Sequence, residues 1–372
     1  METYLTINLD AIKENVIKIK ELNKNSMFCA VVKANAYGLG SVEVGKYIEE
    51  EVDYFAVARL SEALILRESG IKKPILILGY VSYKDVDLCI KYQIDIPIFD
   101  LEYAKKINSN IKNKINVHIA LDTGHSRIGF RDYEVDKIRE LKNLKNINVI
   151  SAFSHYASAD EEDETFMNLQ AQRYDKIINQ IKNDFNFKFL HLSNSAGAIK
   201  QKTVKDMVRV GIAIYGIYPS NYLRENSNVD LSQCFSLKSK VSFVKKIKKG
   251  TPISYGSTFI SPSEMKVATV PIGYADGFFR AFSNIGELSI KGKNCRILGR
   301  VCMDQLMVDV STLDVNIDDE VIIYPDIYKE AEKISTITYE LMTSVSMRVP
   351  RVYIKNNSVV KIVDYLGISH EN

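Results

Sequence analysis

Phe28-Cys29-Ala30-Val31-Val32-Lys33-Ala34-Asn35-Ala36-Tyr37-Gly38-Leu39-Gly40 begins as a short apolar run and closes on two glycines. Phe28–Val32 carries two adjacent β-branched residues and reads as a buried strand. A lysine stands where that strand should end. The small residues and glycines after it let the backbone turn tightly and come close to a ligand. A lysine held at the mouth of an apolar core loses its proton more easily and becomes a nucleophilic amine. A single lysine at a strand end is ordinarily a surface residue, so the pattern around it has to decide.

That pattern repeats. Asp10 is placed to cap a helix whose apolar residues Ile12, Val16 and Ile19 recur at helical spacing. After Lys33 the strand-like runs are Tyr54–Val57, Pro74–Leu78, Ile94–Ile98, Val117–Leu121, Val149–Phe153 and Phe187–Leu192. Ser61–Ser69 and Phe166–Ile181 read as helices between them, and Val208–Ile217 contains the last apolar strand of this half. With the first strand these make about eight βα units, the count that closes a (β/α)8 barrel. In such barrels the reactive groups lie just past the C-terminal ends of the strands. Here Lys33, then Asp122 to Arg127, then Ser154-His155, then Asn194-Ser195 do so, and Arg209 lies in the last run.

Near residue 225 the texture changes. Arg224–Asn228 is polar and turn-prone and reads as a linker. Short alternating strands come next at Phe235–Leu237, Val241–Phe243, Val267–Pro271, Arg296–Leu298, Leu306–Val310 and Glu320–Tyr324, with one helix near Ser335–Thr343. The expected organisation is therefore a (β/α)8 barrel over residues 1–230 and a mostly β domain over 231–372.

Composition narrows the function. The 372 residues are 46% hydrophobic with a net charge of +3, which is too mild to argue for nucleic acid. The basic run Lys245–Lys249 reads as a solvated hairpin end. Five cysteines without a Cys-x-x-Cys pair favour free thiols in a reducing compartment over a disulfide framework. The N-terminus shows no basic-then-apolar leader, and no apolar run approaches the ~20 residues of a membrane helix. A soluble, cytoplasmic protein is expected. The acidic run Asp160–Glu164 has no histidine at ligand spacing and reads as a solvated helix start, so no metal site is expected.

The lysine stretch resembles the pyridoxal phosphate (PLP) motif of alanine racemases, and the resemblance runs to the C-terminus in a series of blocks. They are Asp122-Thr123-Gly124 with Arg127, Ser154-His155-Tyr156-Ala157, His191-Leu192-Ser193-Asn194-Ser195 and Val208-Arg209-Val210-Gly211-Ile212. Ser254-Tyr255-Gly256, Gly273-Tyr274-Ala275-Asp276, Val301-Cys302-Met303-Asp304-Gln305 and Arg348-Val349-Pro350-Arg351 complete the series. Any one block could be chance; all of them in this order are not.

The resemblance implies that Lys33 holds PLP covalently and that Tyr255, from the partner subunit of a homodimer, faces it across the cofactor. Racemisation needs one group to take the α-proton from one face and another to return it on the other, while PLP supplies the electron sink. An ordinary phenol ionises near pH 10, so Tyr255 would need a chain of contacts to a cation, expected to run through His155 to Arg209. Arg209 resembles the family arginine that bonds the pyridine nitrogen. As a permanent cation it keeps that nitrogen unprotonated and the carbanion short-lived, which favours reprotonation over other PLP outcomes. Tyr37, Ser195, Tyr339 and the backbone N–H groups of Gly211 and Ile212 would hold the phosphate. Arg127 and Met303 would meet the substrate, with Met303 coming from the partner; Tyr274 resembles the entrance tyrosine.

Two departures stand out. Many family members carry a carbamylated lysine that steadies the arginine, where this chain has Ala120; and His125-Ser126 replaces a small Met-Gly pair. Arg127 is then oriented by a bound anion such as chloride, by His125, or less firmly. The expected activity is interconversion of L- and D-alanine, with serine or a broader set of small amino acids as the alternative. In a bacterium the product would feed peptidoglycan synthesis. A PLP decarboxylase of basic amino acids is disfavoured by Arg209. A non-catalytic PLP-binding regulatory protein is disfavoured by the second domain.

Overall fold

Strands that bury nearly every residue cannot face water on either side, and a closed parallel barrel wrapped by helices satisfies them. The computed structural model describes residues 1–367. After an N-terminal strand β1 (Tyr4–Asn8) the barrel strands are β2 (Met27–Val31), β3 (Tyr54–Val57), β4 (Ile75–Ile77), β5 (Ile94–Ile98), β6 (Ile115–Ala120), β7 (Ile147–Phe153), β8 (Phe189–His191) and β9 (Met207–Val210). They close in sequence order into a barrel of parallel strands, with β9 pairing back onto β2 at Cys29↔Arg209. The (β/α)8 expectation therefore holds, with helices such as Leu60–Glu68 and Thr165–Ile181 as the crossovers.

The chain forms two compact units. One comprises Ala11–Ala36 and Gly40–Gln233; the other comprises Met1–Asp10, Tyr37–Leu39 and the chain from Cys234 onward. The second unit is mostly β, as expected. Its strands are β10 (Phe235–Lys240), β11 (Phe243–Ile247), β12 (Pro252–Ile253), β13 (Phe259–Ile260), β14 (Met265–Val270), β15 (Glu287–Ile290), β16 (Lys293–Arg296), β17 (Leu306–Asp309), β18 (Glu320–Ile322), β19 (Arg351–Lys355) and β20 (Ser358–Val363). A seven-stranded sheet runs β16-β15-β18-β10-β1-β19-β20, beside a three-stranded β11-β14-β17 sheet and a β12-β13 pair.

Several details differ from the sequence reading. The units change over between Gln233 and Cys234, close to residue 230, but Met1–Asp10 and Tyr37–Leu39 belong with the second unit, where β1 lies between β10 and β19, with Leu5 opposite Leu237 and Arg351. The expected linker at Arg224–Asn228 is largely the Asn221–Asn226 helix, whose Ser220 cap accepts the Leu223 N–H at 3.3 Å. Asp10 does not cap the first helix, which already runs from Leu9; its carboxylate accepts the Asn356 N–H at 2.6 Å. Ile327–Lys333 forms a second helix ahead of Thr338–Thr343. The end of the expected second domain, after residue 367, lies outside the described residues.

Candidate active site

Loops and turns at the C-terminal ends of the strands build the mouth of the barrel. Beyond β2 the chain makes a left-handed turn: Ala34, Asn35, Ala36 and Tyr37 all have φ between 52 and 56°. For non-glycine residues this costs about 1–2 kcal/mol each, so local preference does not produce it. Bonds from outside the turn hold it. Glu62 accepts the Ala34 N–H at 2.6 Å through one oxygen and the Ala58 and Arg59 N–H groups at 2.8 and 3.1 Å through the other. The Asn35 side chain accepts the Ser41 N–H at 2.8 Å. In the second unit, the Arg351 Nε donates to the Gly38 carbonyl at 3.1 Å and the Tyr353 hydroxyl to that of Leu39 at 2.9 Å.

Lys33, Arg127, His155 and Arg209 line one cavity of about 230 Å³, together with Asp122 and His125. Burial holds the Lys33 amine below the ordinary lysine value; the Arg127 guanidinium pushes the same way and the Glu62 carboxylate opposes. His155 is held well below the usual imidazole value by burial, then by Arg209, Arg127, His125 and Lys33, all of them cationic or able to become so. It is a neutral ring at physiological pH.

Arg209 is buried in β9, and burial brings its guanidinium down to about 10, still a cation at neutral pH. Its Nη2 donates to the carbonyls of Ser154 (2.7 Å) and Leu192 (3.2 Å) and approaches the His155 Nδ1 at 3.3 Å. Its Nη1 reaches the His191 Nδ1 at 2.8 Å. The expected His155–Arg209 link is therefore present within the barrel. No described residue accepts from the Arg209 Nε–H, so that donor remains for a ligand.

Arg127 comes after a turn shaped by Asp122, whose Oδ1 accepts the Gly124 and Ser126 N–H groups at 3.0 Å and whose Oδ2 pairs with Arg131 at 3.0 Å. Gly129, at φ +126°, brings the returning chain so close that a Cβ there would lie 2.7 Å from the Asp122 nitrogen. Among the described residues the Arg127 guanidinium makes no hydrogen bond or ion pair. His125 does not serve it: the His125 ring packs edge-on against His155, with centroids 5.6 Å apart.

At the ends of β8 and β9 the Ser195 hydroxyl accepts the Gly211 N–H at 2.9 Å, and no described residue accepts from the buried Ile212 N–H. In the second unit Tyr37 and Tyr339 lie ring to ring, centroids 6.0 Å apart. Tyr255, Tyr274 and Met303 are 71%, 44% and 51% exposed. Their loops are braced together: the Tyr274 N–H donates to the Cys302 carbonyl at 3.1 Å and the Ala275 N–H to that of Met303 at 3.0 Å. Arg348 joins Asp276 and Asp304, each at 2.7 Å, and the Ser254 hydroxyl donates to the Arg300 carbonyl at 2.6 Å. Sequence reasoning missed Glu62 and the partners of Arg209 deeper in the barrel. Their signal was slight: an acid at the third position of a helix, and lone polar residues inside apolar strands.

Comparison with known proteins gives one family. Residues 7–219 match the model of the alanine racemase N-terminal domain and residues 234–353 that of the C-terminal domain. Alanine racemase 2 of Caldanaerobacter subterraneus subsp. tengcongensis is 39% identical, over 98% of this chain and 98% of its own. The alanine racemase of Methanococcus maripaludis is 40% identical over 94% of this chain and 97% of its own. A solved structure of alanine racemase from Clostridium difficile 630 superposes with a TM-score of 0.94 at 39% identity, covering 98% of this chain and 99% of that one.

Proposed function

The chain belongs to the alanine racemase family, and from that premise we propose that it interconverts L- and D-alanine with PLP held at the barrel mouth. The observation that carries the reading is the set of groups around one cavity: a lysine with a depressed pKa, a neutral histidine and a buried arginine whose Nε–H is unspent. These suit an aldehyde, a phenol and a ring nitrogen in turn. The unclaimed Ile212 N–H and the Ser195 hydroxyl suit a phosphate, so the residues present fit PLP. When bound, PLP would supply the electron sink that acidifies the α-carbon.

The chain's own groups do the rest. Lys33 would hold the cofactor and exchange the α-proton on one face, its depressed pKa leaving a larger share of free amine than an ordinary lysine has. Tyr255 would serve the other face from the second subunit of a homodimer, which accounts for a tyrosine 71% exposed in one chain. Arg209 can only donate, so the His155 Nδ1 beside it accepts, and a neutral His155 carries its proton on Nε2. That proton is then available to a phenolate, tying Tyr255 to the Arg209 charge. Ser195, which already accepts the Gly211 N–H, and the Ile212 N–H would hold the phosphate on the barrel side. Arg127 and the partner-borne Met303 would take the substrate carboxylate side, with Tyr274 at the entrance.

The test is conversion of L-alanine to D-alanine by the purified protein, with L-serine in parallel. Lys33→Ala should abolish turnover, and Tyr255→Phe should lower kcat by about 10²–10⁴. A Tyr255→Phe enzyme running at the parent rate would overturn the reading.

A further inference from the structure

A barrel interior is normally filled with branched apolar side chains, yet this one contains a line of polar groups drawn from five strands. It starts at Arg209 on β9 and continues to His191 on β8 (2.8 Å) and His118 on β6 (2.9 Å). The His118 Nε2 then faces the Asp95 Oδ2 on β5 at 3.5 Å, and that oxygen accepts the Tyr54 hydroxyl on β3 at 2.5 Å. Both imidazoles are fully buried, and Asp95, Tyr54 and Arg209 are nearly so. Aromatic packing fixes the rings. Phe153 stacks on His191 at 5.0 Å and underlies the Arg209 guanidinium at 5.4 Å, while His118 stands edge-on to Tyr54, Phe189 and His191.

The direction of the line comes from the donor inventory. A guanidinium has no acceptor, so the His191 Nδ1 is the lone pair that receives Arg209. A neutral His191 then carries its proton on Nε2 and donates to the His118 Nδ1. His118 in turn carries its proton on Nε2, whose nearest polar neighbour is the Asp95 carboxylate. At 3.5 Å that last contact is long for a hydrogen bond and is an attraction between the carboxylate and the N–H dipole of a neutral ring. The line thus has a cation at the mouth, an anion near the base of the barrel and two neutral rings between. Burying such groups is costly, and apolar replacements of similar shape are often neutral or stabilising. Stability therefore does not account for them.

We infer that Asp95, His118 and His191 are positioning residues for Arg209: through this line they set the plane of its guanidinium. No carboxylate touches the guanidinium, so its Nε–H keeps full donor strength toward the cavity. The inference rests on the proposed function, in which this Nε–H meets the pyridine nitrogen.

Solid-state nitrogen-15 spectra of full-chain protein with ring-labelled histidine test it, each histidine assigned by single substitution. At neutral pH His118 and His191 should both be neutral with the proton on Nε2. A proton on Nδ1 of either ring would overturn the inference. Asp95→Asn keeps the shape and removes the charge. It should broaden or split the His191 signals and lower kcat at least tenfold, with KM within twofold. Parent-like His191 signals or parent-like kcat in that variant would overturn the inference. Should Asp95→Asn fail to fold, Tyr54→Phe removes one donor from the same carboxylate and should lower kcat at least threefold with KM unchanged; no change would count against the inference. If the ring protons lie as stated and the protein racemises nothing, the functional reading fails and the line of protonation stands.

Discussion

Lys33 sits between a cation and an anion, so the two neighbours should move its pKa in opposite directions. Arg127 lowers it and Glu62 raises it, against a larger lowering by burial. Removing the cation in Arg127→Ala should shift the midpoint for labelling the Lys33 amine to higher pH, and Glu62→Gln should shift it lower. Labelling rates across pH 6–10 in cofactor-stripped protein, read by mass spectrometry at Lys33, check both signs. Much of this scale was legible in the sequence, because chemistry at one position demands a residue type: Lys33, His155, Arg127 and Arg209 come together as expected. His118 and Asp95 were not legible. The histidine between Val117 and Ile119 meets His191 two strands away, and the aspartate between Ile94 and Ile96 meets Tyr54 two strands away; neither partner shows until the strands curl into one interior.

Among elements, the barrel strands were legible because both faces are buried and their apolar runs are nearly continuous. The β1 strand was not, since its partners β10 and β19 lie more than two hundred residues away. Nor was the left-handed turn after Lys33: Asn35 alone is of a type that favours positive φ, the alanines on either side are not, and the brace from Glu62 comes from another element. The turn gives a direct stability test. At the exposed Ala34, with φ 52°, glycine removes a Cβ clash worth more than the flexibility it adds to the unfolded chain. Ala34→Gly should therefore raise stability by about 0.5–1 kcal/mol, read as a urea midpoint at constant slope. A loss of about 1 kcal/mol, as glycine gives in an ordinary helix, would contradict the turn.

For the molecule as a whole, two imidazoles with depressed pKa values, His191 buried and His155 partly so, make folding sensitive to acid. His155 and His191 both lie well below their ordinary value of 6.5 when folded. The unfolded chain therefore binds protons first as pH falls. The stability is fully present above about pH 6.5 and is lost below it, down toward the folded values. The two together contribute a slope of up to about 2.7 kcal/mol per pH unit. Urea midpoints should thus be flat from pH 7 to 8 and fall steeply below 6, and His155→Gln should flatten part of that fall.

Assembly belongs to the same scale. Tyr255, Tyr274 and Met303 stand exposed on braced loops of the second unit, and the proposed homodimer would give them a purpose by lending them to a neighbouring barrel. The most direct measurement is co-expression of Lys33→Ala and Tyr255→Phe chains, each nearly inactive alone. Random pairing makes half the dimers mixed, and each mixed dimer regains one intact site of two, so about a quarter of the parent activity should return. A mixture no more active than its parts would contradict an active site in which lysine and tyrosine come from different chains.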